Sequence, residues 1–203
     1  MPKIAIIPGD GIGAEVMGEA RRVLAALDVC NSLNFELVDW DLGAERYLRD
    51  GIAITDEEFH SLANDHDAVF LGALGDPRVP GMEHIKAILL GLRFKLDLYV
   101  NFRPCVLPAP SLSPLAGIES SFRIDTFREN TEGLYTGLGG SFKTDTPDEI
   151  AIEKDIHTRK GVERIVRAAF EYAESRGRRR VTLVDKANVQ EFVGGLWRKV
   201  FLE

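Results

Sequence analysis

Ile4-Ala-Ile-Ile-Pro-Gly-Asp-Gly-Ile-Gly13 is an apolar run of strand length closed by a glycine-rich turn, and apolar residues at Val16, Ala20, Val23, Leu24 and Leu27 follow it at helical spacing. The pattern predicts strand, tight turn and helix, the opening unit of an α/β sheet. Glycines at 9, 11 and 13 invite comparison with a dinucleotide fingerprint, because glycine lets a backbone approach a phosphate at a helix N-terminus. The spacing here is G-x-G-x-G followed by Ala14, which does not match G-x-G-x-x-G. The turn is read as one that lines a pocket, not as a Rossmann phosphate site.

The alternation continues outward from that unit. Phe35–Trp40 reads as a second strand, and Asp67–Leu71 as a third. Between them Thr55-Asp-Glu-Glu58 reads as a helix start in which Thr55 caps and Glu58 completes a capping box. Strands alternating with helices predict an α/β fold with a mostly parallel, doubly wound sheet. Ala68–Leu71 is apolar on both faces, as a strand covered by helices on each side would be. It ends in Gly72-Ala73-Leu74-Gly75-Asp76-Pro77-Arg78, just past a strand's carboxyl end, where such sheets bind ligands. Met82–Leu98, apolar at Ile85, Ile88, Leu89, Leu92 and Leu96, predicts a helix carrying Arg93. Arg103 then precedes Pro104 in extended backbone. Val106–Ser121, with three prolines and four serines, is expected to cross between two domains, residues 1–100 and 101–203.

In the second half an apolar run, Phe122–Phe127, delivers Arg128-Glu-Asn-Thr-Glu-Gly-Leu-Tyr135. A guanidinium presents a planar fork that fits a carboxylate or phosphate, so Arg128 reads as an anion receptor and Tyr135 as a proton donor. The alternative is a surface pairing of Arg128 with Glu129 or Glu132. Ser141–Glu149 has no core-forming pattern and reads as an exposed arm. His157–Arg176 is an amphipathic helix that Thr158 can cap and Gly177 can end. Val181–Val184 reads as a buried strand delivering Asp185-Lys186-Ala187-Asn188, with a further helix over Val193–Phe201. Lys186 there is a candidate for a lowered pKa if it lies beside an apolar layer, or a solvated lysine if it does not.

Composition narrows the function classes. A hydrophobic fraction of 45%, with no apolar run near the roughly 18 residues of a membrane span, points to a globular protein without a membrane partner. A net charge of −7 gives no electrostatic footprint for nucleic acid. The start Met-Pro-Lys-Ile lacks a signal-peptide pattern, and a cytoplasmic location is expected. Cys30 and Cys105 stand far apart and read as two reduced thiols.

Six segments resemble, in order, the isopropylmalate and isocitrate dehydrogenase family of metal-dependent decarboxylating dehydrogenases. They are Ile7–Gly13, Gly72–Pro77, Leu92-Arg93 with Asp97-Leu-Tyr99, Asn101–Pro104, Arg128–Tyr135 and Asp185–Asn188. The resemblance implies that family's two-domain fold, with a dimer arm near residues 136–156. It favours the receptor reading of Arg128, and it implies that Arg93, Arg103 and Arg128 grip substrate carboxylates, with Asn188 nearby. It further implies Lys186 as general base, usually supplied to the partner subunit's site in a homodimer, Tyr135 as the acid that protonates the enolate, and Gly72, Ala73, Leu74, Gly75 and Asp76 lining an NAD pocket. A Mg²⁺ or Mn²⁺ ion is implied as well. Leu89 and Leu90 stand where isocitrate enzymes usually place Ser and Asn, so isopropylmalate leads, ahead of D-malate or tartrate, and isocitrate is disfavoured. Family chains continue well beyond Glu203, and the metal-holding aspartates are expected there. So are strands that would cover Ile4–Ile7 and Ala68–Leu71, whose apolar edges are expected to lie open. A catalytically inactive fragment is the alternative reading.

Overall fold

A computed structural model describes residues Met1–Glu203, which form two compact units, Met1–Asp97 and Leu98–Glu203. In the first, β1 (Lys3–Ile7), β2 (Glu36–Asp39) and β3 (Ala68–Leu71) make a parallel sheet in the order β2-β1-β3. The registers pair Lys3 with Glu36 and Ile4 with Ala68. β1 is therefore the central strand, and Ala5, Ile6 and Ile7 are fully buried. The expectation of an open edge at Ile4–Ile7 is wrong, because both neighbouring strands lie within the chain.

β3 is paired on one side only. Strand parity puts Val69 and Leu71 against the core formed by Ala5, Ile7, Phe59, Leu62, Ile88 and Leu92, while Phe70 faces the other way and stays 37% exposed. Burial on both faces of this strand does not hold, since that second face is thinly covered. Val16 and Val23 of α1 (Ile12–Asn31) are exposed as well. α2 (Ala44–Asp50) and α3 (Asp56–Asn64) are clamped together by Arg46, whose fork donates to both oxygens of Glu58 at 2.6 and 3.0 Å. Glu58 also closes the capping box with Thr55.

The helical stretch ahead of Asp97 is not uniform. α4 (Glu83–Ile85) and α5 (Gly91–Lys95) flank a π-helical segment, Lys86–Leu90. Its buried positions, His84, Ile88 and Leu92, recur every fourth residue. In a regular α-helix that stripe would drift by about 40° per step, and the wider π turn absorbs the drift. No helix in the chain is long and apolar enough to cross a membrane.

In the second unit β4 (Val100–Leu107) pairs antiparallel with β5 (Phe122–Glu129). The proline-rich segment between them thus joins two strands of one ribbon and is not a crossover between units. One face of the ribbon packs on α6 (Arg159–Ser175), where the rings of Phe102, Phe127 and Tyr172 meet pairwise at 5.1 Å. Thr158 caps α6 by accepting the Gly161 N–H at 3.0 Å. β6 (Gly139–Phe142) and β7 (Ile150–Glu153) form a hairpin exposed at every residue. α7 (Glu191–Leu202) closes the chain. Val181–Val184 forms no strand, and Val184 is 90% exposed. An extended segment needs a neighbour for its N–H and C=O groups, and none of the seven strands lies alongside it.

Candidate functional site

The ribbon's free face is set by its register. Asn101 lies opposite Arg128, and Arg103 opposite Thr126, so all four share the side away from α6. Diagonal neighbours on such a face have Cβ atoms about 7–8 Å apart, within which two guanidinium forks can hold one anion. Like charges this close destabilise a ribbon in isolation, and an anion between them removes the penalty. Arg103 Nε donates to Asn101 Oδ1 at 3.0 Å, and Asn101 Nδ2 donates to Asn130 Oδ1 at 3.1 Å. That chain of amides fixes the first fork.

Arg128 Nη2 donates to the Tyr135 hydroxyl, and its guanidinium carbon sits 5.0 Å from that ring's centroid. The two carboxylates that could neutralise Arg128 are engaged elsewhere. Glu129 is buried and accepts the N–H groups of Thr131 and Glu132 at 2.9 and 2.7 Å, and Arg164 lies 3.4 Å from its other oxygen. Glu132 accepts the Thr158 N–H at 2.8 Å and its hydroxyl at 2.5 Å. These bonds bend the chain after Arg128 so that Tyr135, on a 3-10 turn over Leu134–Thr136, comes back to the guanidinium.

Lys186 and Asn188 lie in the exposed turn before α7. The carboxylate next to Lys186, that of Asp185, is held by Arg198 Nε and Nη2 at 2.6 and 3.0 Å, and this pairing keeps it below the usual carboxylate pKa. Lys186 itself is exposed. Arg93 on α5, and Leu89 and Leu90 in the π-helical segment before it, are half-buried in the first unit.

The loop Gly72–Asp76 is fastened to the glycine turn after β1. Gly72 N–H donates to Ile7 O at 2.8 Å, and Asp10 N–H to Ala73 O at 2.7 Å. A Cβ on Gly9, whose φ is +79°, would lie 2.0 Å from Ala73 O, so only glycine permits this backbone contact. The Asp10 carboxylate accepts the N–H groups of Ala44 at 2.6 Å and Gly75 at 2.8 Å, and pairs with His84 Nε2 at 3.0 Å. Leu74 packs on the core cluster. Asp76 is held by Arg78, whose hydrogen bonds lower its pKa to about 2. The N–H groups of Gly72 and Gly75 are thus already used, and the loop offers a dinucleotide a fixed contour.

Asp10 and His84 as a unit, and the supporting contacts of Asn101, Asn130 and Glu129, become visible only in the folded chain. The spacing of His84, Ile88 and Leu92 was a usable signal that His84 faces inward. No group of three or more His, Cys, Asp or Glu side chains able to hold a metal ion occurs in the chain. The residues present do not fit a divalent cation, and no step is assigned to one.

The chain belongs to the isocitrate/isopropylmalate dehydrogenase family, whose sequence profile matches residues 3–203. It is 49% identical over 200 residues to the 3-isopropylmalate dehydrogenase of Corynebacterium kroppenstedtii, covering 97% of this chain and 57% of that protein. With the same enzyme of Corynebacterium jeikeium it is 50% identical, covering 97% and 56%. Among solved structures, isocitrate dehydrogenase from Methylococcus capsulatus superimposes with a TM-score of 0.83 at 33% identity, over all of this chain and 56% of that one. The chain spans about half the length of the curated relatives it matches.

Proposed function

We propose that this chain carries the anion-gripping and proton-transfer residues of an NAD-dependent dehydrogenase that oxidises and decarboxylates a 2-hydroxy dicarboxylic acid, with 3-isopropylmalate as its substrate. The observation that carries the reading is the free face of the β4–β5 ribbon, where Arg103, Arg128 and the Tyr135 hydroxyl are brought together with their competing carboxylates engaged elsewhere. The identity to two 3-isopropylmalate dehydrogenases supports the choice of acid.

In this reading Arg103 and Arg128, with Arg93, hold the carboxylates by charge-assisted hydrogen bonds. Lys186 takes the proton of the 2-hydroxyl as the C2 hydride departs. Gly72–Asp76 would line the pocket of a dinucleotide, whose nicotinamide would supply the hydride acceptor. The bond from C3 to its carboxylate then breaks, carbon dioxide leaves, and Tyr135 returns a proton to C3 of the enolate. Asn188 borders the substrate. Leu89 and Leu90 offer an apolar surface that suits an isopropyl group and leaves a third carboxylate without partners. A second copy of the chain, paired through the β6–β7 arm, completes a shared site.

The test is to join this chain to the C-terminal half of the Corynebacterium kroppenstedtii relative and to compare kcat/KM for 3-isopropylmalate, D-malate and isocitrate. Isopropylmalate should lead, by on the order of 10²-fold or more over isocitrate. A preference for isocitrate would overturn the assignment.

A further inference from the structure

Asp155, His157, Gln190 and Trp197 form a hydrogen-bonded bridge in the second unit that the proposed chemistry does not use. Trp197 Nε1 lies 3.1 Å from His157 Nδ1, and an indole N–H can only donate, so Nδ1 accepts. The ring proton is then on Nε2, which donates to Asp155 Oδ1 at 2.8 Å. The other oxygen of Asp155 accepts the Gln190 side-chain N–H at 2.9 Å. The partners alone assign a neutral imidazole in a single tautomer. His157 and Asp155 have side chains only 15% and 24% exposed.

Each end of the bridge touches one of the two proton-transfer segments. Gly133, which opens the 3-10 turn bearing Tyr135, donates its N–H to Ile156 O at 2.8 Å. A Cβ on Gly133 would stand 3.2 Å from Asp155 Oδ1 and 3.4 Å from His157 Nε2, so that backbone rests on the pair. At the other end the Lys186 carbonyl accepts the N–H groups of Val189 and Gln190, both at 2.9 Å. Fixing the Gln190 side chain therefore fixes the turn that presents Lys186, and Trp197 anchors α7 about two turns further along the same face.

We infer that His157 is a positioning residue that holds the Tyr135 and Lys186 segments in register through Asp155, Gln190 and Trp197. The inference rests on the roles proposed for Tyr135 and Lys186. No bond of the bridge itself reaches Arg103 or Arg128; the grip is linked to it through the Arg128 hydrogen bond to Tyr135. Misplacing a proton-transfer group by about 1 Å costs up to roughly 10²-fold in rate, whereas substrate binding by the arginines should persist.

The experiment uses the completed protein described above. His157→Ala should lower kcat by about tenfold or more and leave the KM for isopropylmalate within about threefold. His157→Gln, which restores an N–H toward Asp155, should recover part of kcat. Trp197→Phe, which removes the donor and part of the ring, should fall between the two. A folded His157→Ala protein with unchanged kcat, or one whose defect lies in KM alone, overturns the inference. If His157→Ala does not fold, the ¹⁵N shifts of the unaltered imidazole decide, with the neutral Nε2–H tautomer expected and an Nδ1–H or doubly protonated ring overturning the bridge. Failure of the unaltered protein to oxidise any hydroxy acid would instead overturn the dehydrogenase reading, and with it the roles on which the inference depends.

Discussion

Glu58 does two things at once, closing the cap of α3 and receiving the fork of Arg46 from α2. Burial opposes its ionised form, but the Arg46 and Thr55 hydrogen bonds outweigh that cost and hold its pKa below the ordinary carboxylate value. A depressed folded pKa contributes stability above the unfolded value, near about 4.3, that is lost as the pH falls through the folded one. Glu58→Gln should therefore be less stable at neutral pH by on the order of 1–3 kcal/mol. The gap between the two proteins should close in thermal melts taken from about pH 7 down to about pH 3, and a gap independent of pH would contradict the account. The cap was legible because Thr55 and Glu58 are three residues apart and act locally. Asp10 and His84 meet across 74 positions, and only the folded chain joins them.

At the scale of elements, period and composition found most of the structure and missed what depends on neighbours. The helix over Met82–Leu98 was evident from its apolar residues, but its π turn was not, because composition does not report how many residues share a turn. Gly91 shows the consequence. Alanine there should favour a helix by up to about 1 kcal/mol, yet its Cβ would lie 2.5 Å from Cζ of the buried Phe59 ring. Overpacking of this kind costs roughly 1–3 kcal/mol, so Gly91→Ala should lower the midpoint of thermal unfolding. A higher midpoint would show that the ring moves aside freely. Val181–Val184 is the opposite case. Its residues suit a strand, but strand formation is a property of a pair, and the partner is lacking in this chain.

For the whole molecule, the β6–β7 arm exposes Phe142, Ile150 and Ile152 at 58%, 47% and 42%; a lone two-stranded hairpin is marginal in water, and the proposed second copy would cover these side chains. If Lys186 serves the partner's site and Tyr135 its own, mixing Lys186→Ala and Tyr135→Phe subunits of the completed protein should restore activity at one of the two sites of each mixed dimer. No rescue in verified mixed dimers would place both residues in one subunit's site. The segments that carry the arginines, the tyrosine and the lysine were legible in order, but that Arg103 and Arg128 share a face of the ribbon comes from the register of β4 on β5. The central claim is that these 203 residues hold the grip and the proton-transfer groups but no cation site. It is tested most directly by NAD reduction with 3-isopropylmalate and Mn²⁺, comparing the 203-residue chain alone with the completed protein. The completed protein should turn over, and the chain alone should be slower by on the order of 10³-fold or more; comparable turnover by the two would contradict the account.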